Sequence, residues 1–214
     1  CYLDHLNPEY LRYYYASKLS NSVDDIDLNL EDFIQKVNSD LVGKVVNIAS
    51  RCAKFIEKNH SGRLAERIEN QEIWDLVLSK SYSIAEHYEN REYARAVREI
   101  MALADRTNEY LTLKEPWKLA KDPKNAQQVQ AICSLGINLF RALIVFLKPI
   151  LPELAARSEI FLDQELNWES VQNPLLGRTI KPFKPLLQRI DPKQVEAMLD
   201  QSAETKKNTT SHGR

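Results

Sequence analysis

Five side chains recur three or four positions apart along one stretch of this sequence: Lys44, Asn47, Arg51, Lys54 and Lys58. Residues at that spacing share one face of a helix. Four are cations, one is a neutral amide, and no acidic residue joins them before Glu57 beside the stripe. The ordinary account is a solvated helix face. An Asn and an Arg one turn apart also suit the hydrogen-bonding edges of nucleic-acid bases. A second stretch, Lys114-Glu115-Pro116-Trp117-Lys118-Leu119-Ala120-Lys121, places a tryptophan after a proline and among lysines. Pro116 suits the first turn of a short helix. Trp117 then either packs inward, as tryptophans usually do, or offers a stacking platform. Each stacked single-stranded base contributes ~1–3 kcal/mol, with nearby cations holding the phosphates.

Other groupings support no chemistry. Asp25-x-Asp27-x-Asn29 opens like a calcium loop, but that loop needs Gly at its sixth position and Glu at its twelfth. Leu30 and Lys36 stand there, so these carboxylates read as turn and cap residues. His5, His60, His87 and His212 lie in separate segments, and none has the spacing of a nucleophile or metal site. Cys1, Cys52 and Cys133 are far apart, with no Cys-x-x-Cys, which argues against a zinc site or a disulfide framework and for a reducing compartment. With five glycines and neither phosphate-cradling glycine motif, a nucleotide loop is nearly excluded. The run Tyr13-Tyr14-Tyr15 reads as packing rather than base stacking. No catalytic residue and no metal ligand is expected.

The chain of 214 residues is 43% hydrophobic and 28% charged, enough for a real core. Its net charge of −1 gives no global pull toward polyanions, so any such site must be a local patch. No uninterrupted apolar run reaches the ~18 residues of a bilayer span, and no signal peptide is visible. No membrane partner and a cytoplasmic location are expected. The chain begins at Cys1, and reads as a piece of something longer.

The elements that must carry these residues are helical. Asn7-Pro8 starts the first helix. Asn29 caps a long second one, running to about Lys58, with Phe33, Val37, Leu41, Val45, Ile48, Cys52 and Phe55 as its apolar stripe. His60 to Arg63 break it. Further helices are predicted over about 71–87 and 91–113, the latter with Tyr93, Val97, Ile100, Ala104 and Leu111 inward. Asn125 is expected to cap a very apolar helix carrying Ile132, Leu135, Leu139, Leu143 and Phe146, which suits a central position. Pro149 and Pro152 interrupt it before a helix over ELAARSEIFL. NPLLGRTIKPFKPLL reads as extended chain lying on the bundle, PKQVEAMLDQ as a final helix, and residues 203–214 as a polar linker. The fold class is all-α, a helix bundle over 29–173 with an N-terminal segment 1–28 and a C-terminal segment 174–202 packing back.

Several long segments, in order, carry a likeness: YLDHLNPEYLRYYYASKLS, DDIDLNLEDFIQKVN, VVNIASR, REYARAVREIMALAD, EPW, QAICSLGINLFRAL, PLLGRTIKPF and RID. Over nearly its whole length the chain resembles the C-terminal part of bacterial methionyl-tRNA synthetases, class I enzymes whose helical domain recognises the CAU anticodon. The resemblance implies that Trp117 stacks on anticodon bases, with Pro116 aligned to the family's proline, and that Asn47 and Arg51 help to read them. It marks residues 1–28 as the end of the catalytic region and its stem-contact segment. Lys54 and Lys58 are assigned phosphate contacts from placement alone. The motifs that handle ATP and the adenylate, and the cysteine-rich zinc knuckle, do not occur in these residues. The implied parent uses ATP and Mg²⁺ with a structural Zn²⁺. This piece would need no cofactor and would bind a methionine tRNA stem-loop and its own parent's catalytic core. A monomer is expected, any homodimer forming through a further C-terminal domain that the likeness does not reach. The turn before Pro116 departs from relatives in having only Glu115 as an acid. Two alternatives remain open: a helical protein-interaction module with Trp117 as a hot spot, and the anticodon domain of another class I synthetase.

Overall fold

A computed structural model of the chain describes residues 6–20 and 26–210, with side chains to 204. Asp25, His5, His212 and Cys1 lie outside the described residues. Helix α1 is Pro8–Lys18, opened by the Asn7 side chain accepting the Glu9 N–H at 2.9 Å. Of the tyrosine run, Tyr13 and Tyr14 are buried. The Tyr13 hydroxyl donates to Asp40 at 2.6 Å, and the Tyr14 ring meets Phe33 edge-on. The run is therefore packing.

Asn29 caps α2 (Leu30–Lys36), its side chain accepting the Asp32 N–H. The chain continues helically through a π segment, Val37–Val46, into α3 (Asn47–His60). The expected stripe faces inward, with all but the half-buried Phe55 buried. The ten residues of wider i→i+5 bonding were not legible, because the apolar positions stay inward in either helix. The Asn108 side chain reaches this segment and donates to the Lys44 carbonyl at 3.2 Å, an inserted contact of the kind that accompanies such distortions. Left-handed Ser61 and Gly62 close α3, and the Gly62 N–H returns to the Ile56 carbonyl.

The helix expected over 71–87 is two, α4 (Gln71–Ser79) and α5 (Ser81–Glu89). Ser79 and Ser83 bond back to the carbonyls of Leu76 and Lys80, competing with the helix ladder on either side of the break. Helix α6 is Tyr93–Lys114, with Val97, Ile100, Ala104 and Leu111 buried as expected and Tyr93 half-buried. A one-turn α7 (Pro116–Leu119) and a 3₁₀ turn (Pro123–Asn125) lead into α8 (Ala126–Leu147). The expected Asn125 cap does not form. Asp122 caps the 3₁₀ turn by accepting the Lys124 N–H, while Asn125 donates to the Leu119 carbonyl.

Helix α8 is the centre of the bundle, buried without interruption from Ile132 to Leu147. Pro123–Leu147 is long and apolar enough to cross a membrane, yet 89% of its most apolar window is covered by the rest of the protein. Burying each Leu, Ile or Phe stabilises by ~1.5–3 kcal/mol. Helices α3 and α8 approach closely at Gly136, where a Cβ would overlap the Cys52 sulfur. Cys52 and Cys133 are buried free thiols. Their hydrogen bond and burial hold the Cys52 thiol well above its ordinary value, so it stays protonated.

Helix α9 is Pro152–Leu162. Residues 173–187 are extended and packed on the bundle as expected, burying Leu175, Ile180, Leu186 and Leu187. Asn138 on α8 bonds both the N–H and the carbonyl of Leu175. Among the described residues there is no strand, only an isolated bridge between Arg63 and Thr179. Helix α10, Pro192–Thr210, continues past the point where a polar linker was expected.

Candidate nucleic-acid interface

The end of α6 determines where Trp117 goes. The Glu115 N–H bonds to the Leu111 carbonyl, and Glu115 adopts φ 47, ψ 54, the left-handed region. For a residue with a Cβ this conformation costs ~1–2 kcal/mol. The chain thereby reverses out of α6, and Pro116, buried, starts α7 with its fixed φ. Leu119 and Ala120 pack against the core. Trp117 is half-buried and lies under a cation from another helix: the Arg51 guanidinium carbon is 4.4 Å from its ring centroid. The other two tryptophans do different work. Trp74 is buried, and Trp168 packs on Phe146 at 5.1 Å.

Arg51 reaches that position from α3, which is held by close packing at Gly136 and by the inward stripe. Asn47 lies one turn earlier and is half-buried. Among the described residues nothing bonds its side-chain amide; its backbone carbonyl accepts from the Ser50 hydroxyl at 3.1 Å. Lys54 and Lys58 follow, both exposed and neither in an ion pair with a described residue. Glu57 forms no ion pair with either among the described residues; its carboxylate accepts the Phe183 backbone N–H. The structure thus joins Arg51 to Trp117 and sets Asn47, Lys54 and Lys58 along the same helix.

Lys44 stands apart from the rest of the stripe. It is 3.0 Å from Asp105 of α6 and 3.9 Å from Asp40. The run of cations free of acids begins after it. The missed residue is Asp105, which follows the inward Ala104 and so falls at the border of the face that meets the π segment. The lysines near Trp117 are also less free than their spacing suggested. Lys114 pairs with Glu69 at 3.4 Å and sits over the Tyr110 ring, while Lys118 pairs with Glu115 at 2.6 Å. Lys121 is exposed. Among the described residues no group of three His, Cys, Asp or Glu is placed to hold a metal ion.

The family model described as the anticodon binding domain of methionyl tRNA ligase matches residues 61–203, two thirds of the chain. The chain belongs to that family. The model described as tRNA synthetases class I (M) matches residues 1–53. Asn47 and Arg51 fall in one matched segment and Trp117 in the other, so the stacked pair joins the two. The fold is similar to the apo (free-state) Mycobacterium tuberculosis methionyl-tRNA synthetase, at TM-score 0.80 and 20% identity, over 88% of this chain and 40% of that one. The same organism's enzyme in complex with methionyl-adenylate matches at TM-score 0.75 and 21% identity, over 85% of this chain and 37% of that one. At these identities the likeness speaks for the fold. The anticodon-domain chain spans about two fifths of the length of these structures.

Proposed function

We propose that this chain recognises the CAU anticodon of methionine tRNA, as part of a methionyl-tRNA synthetase whose whole form joins methionine to tRNA. The observation that carries the reading is the Arg51 guanidinium stacked 4.4 Å from the Trp117 ring centroid, on a helix whose Asn47 amide has no partner among the described residues. Membership of the anticodon-domain family supports it. Trp117 stacks on an anticodon base, Arg51 and Asn47 bond base edges, and Lys54 and Lys58 hold phosphates. Pro116 fixes the turn that presents the ring.

The stacked pair sets the energetics of entry. A base that takes the indole face displaces the guanidinium, giving up about 0.5–1 kcal/mol of cation–π attraction. The base stack returns ~1–3 kcal/mol. The exchange favours the base, and it leaves the Arg51 N–H fork beside the base it must read.

Activation of methionine with ATP, the ions that serve it and a structural zinc belong to the remainder of the parent chain. This chain contributes binding. A soluble, cytoplasmic enzyme with its own catalytic core as neighbour, and with any dimer formed elsewhere, completes the reading.

The test is titration of a CAU anticodon hairpin into the chain and into Trp117→Ala. The variant should bind roughly five- to 150-fold more weakly, the factor corresponding to ~1–3 kcal/mol. Affinity should also fall steeply with salt through counterion release. Equal affinity for a folded variant removes the stacking role. Salt-insensitive binding favours an apolar protein partner instead.

A further inference from the structure

Beyond Arg51 the face of α3 does not return to plain solvent. An open depression of about 420 Å³ lies there, lined by Ser50, Lys54, Glu57, Lys58 and Phe183. Phe183 comes from the extended C-terminal segment, far away in sequence. It is half-buried, with its ring edge-on to Phe161 at a centroid distance of 5.3 Å. The Glu57 carboxylate accepts the Phe183 N–H, which fixes this backbone against α3 and engages the one acid in the lining. Lys181 and Lys184, on either side of Phe183, are exposed. None of Lys54, Lys58, Lys181 and Lys184 forms an ion pair with a described residue, although the chain as a whole carries a net charge of −1. Lys54 and Lys58 thus line the depression with the Phe183 ring, and Lys181 and Lys184 flank that ring along the extended segment.

We propose that this depression seats a nucleotide of the anticodon loop that lies outside the triplet, its base against Phe183 and its flanking phosphates among the four lysines. The inference rests on the proposed anticodon recognition and extends it along the same strand. Aromatic contact with flanking cations is the arrangement that holds single-stranded RNA without reading its sequence. The depression shares Lys54 with the candidate interface, on the same helix as Arg51. The site therefore adds affinity and loop register, while Asn47 and Arg51 supply the choice of anticodon.

The experiment uses this chain and a CAU anticodon hairpin, comparing Phe183→Ala with Lys181→Gln/Lys184→Gln. Neither lysine packs in the core, so the double variant keeps the site testable if Phe183→Ala loosens the segment. Phe183→Ala should weaken the hairpin about five- to tenfold and leave the preference for CAU over an altered anticodon unchanged. An abasic nucleotide at one loop position outside the triplet should weaken wild type by a similar factor and Phe183→Ala little further. Lys181→Gln/Lys184→Gln should reduce the slope of log K against log salt by about 1.4, near 0.7 for each single-strand phosphate that no longer meets a lysine. If a folded Phe183→Ala and the double variant both bind as wild type does, while Trp117→Ala is weakened, the depression is not a nucleotide seat and the anticodon reading survives. If Trp117→Ala is unaffected as well, both proposals fall.

Discussion

The guanidinium of Arg51 on α3 lies 4.4 Å from the ring centroid of Trp117 on α7. That contact joins two helices placed by quite different means. Close packing against α8 at Gly136 holds α3, and the left-handed Glu115 with Pro116 aims α7. Trp117 is thus neither a core anchor nor a bare platform. It is a ring already occupied by the residue expected to read the base that replaces it. Arg51→Ala should expose the indole, red-shift its fluorescence and lower hairpin affinity. Arg51→Lys should retain the charge but lose the planar stack and bidentate donation, and so recover only part of the affinity. An unchanged emission maximum in Arg51→Ala would show that the two side chains do not stack in solution.

Gly136 tests how α3 is positioned. A methyl group there overlaps the Cys52 sulfur, with Leu111 next nearest at 3.5 Å. Gly136→Ala should cost about 1–3 kcal/mol through overpacking. Cys52→Ala alone leaves a cavity, but in the double variant the added methyl should occupy part of it. Urea denaturation should therefore show a double variant more stable than the sum of the two single losses. Strict additivity would mean that the overlap is absorbed by movement of the helices.

Arg141, fully buried on α8, donates to Gln164 and to the carbonyls of Ser170 and Val171 at 2.7–3.0 Å. Burial lowers its pKa to about 10, and hydrogen bonds rather than a carboxylate satisfy it. Arg141→Met should leave those three acceptors without their donor and destabilise the chain by roughly 1–3 kcal/mol or more. Limited proteolysis should then cut first between α9 and the extended segment. A variant as protease-resistant as wild type would show that the loop is held by other contacts.

Glu9 caps α9 from the other end of the chain, accepting the N–H groups of Glu153 and Leu154 at 2.6 and 2.9 Å. Burial raises its carboxyl above the usual 4.5 despite those bonds. The folded state therefore holds this proton more tightly than the unfolded state. That contribution is fully present below the unfolded value and is lost as pH rises through the folded one. Glu9→Gln should remove this component of the stability slope above pH 4.5 in thermal melts. A slope identical to that of wild type would contradict the assignment.

Much of this was legible in the sequence, for identifiable reasons. The inward stripes of α3, α6 and α8 could be read because burial on a helix enforces its period. The Asn7 and Asn29 caps were readable because each donor set is local. What failed was where competing local bonds or distant segments decide. The break at Lys80 and the missing Asn125 cap depend on competing local bonds that have the same residue types as a continuous helix. The pairing of Lys44 with Asp105 joins separate helices, so the spacing along α3 gave no warning. The stripe suggested Asn47, Arg51, Lys54 and Lys58 as a unit, whereas Phe183 entered only through the folding back of the C-terminal segment.

The most direct measurement is the affinity ratio for two hairpins differing only in the anticodon, one CAU and one with a single base changed. Wild type should prefer CAU by at least about fivefold, in line with ~1–3 kcal/mol for a base-edge hydrogen-bonding pair that the altered base cannot make. The preference should vanish in Asn47→Ala/Arg51→Ala while residual, salt-sensitive binding persists. Equal affinity of the wild-type chain for the two hairpins would contradict anticodon recognition by this face.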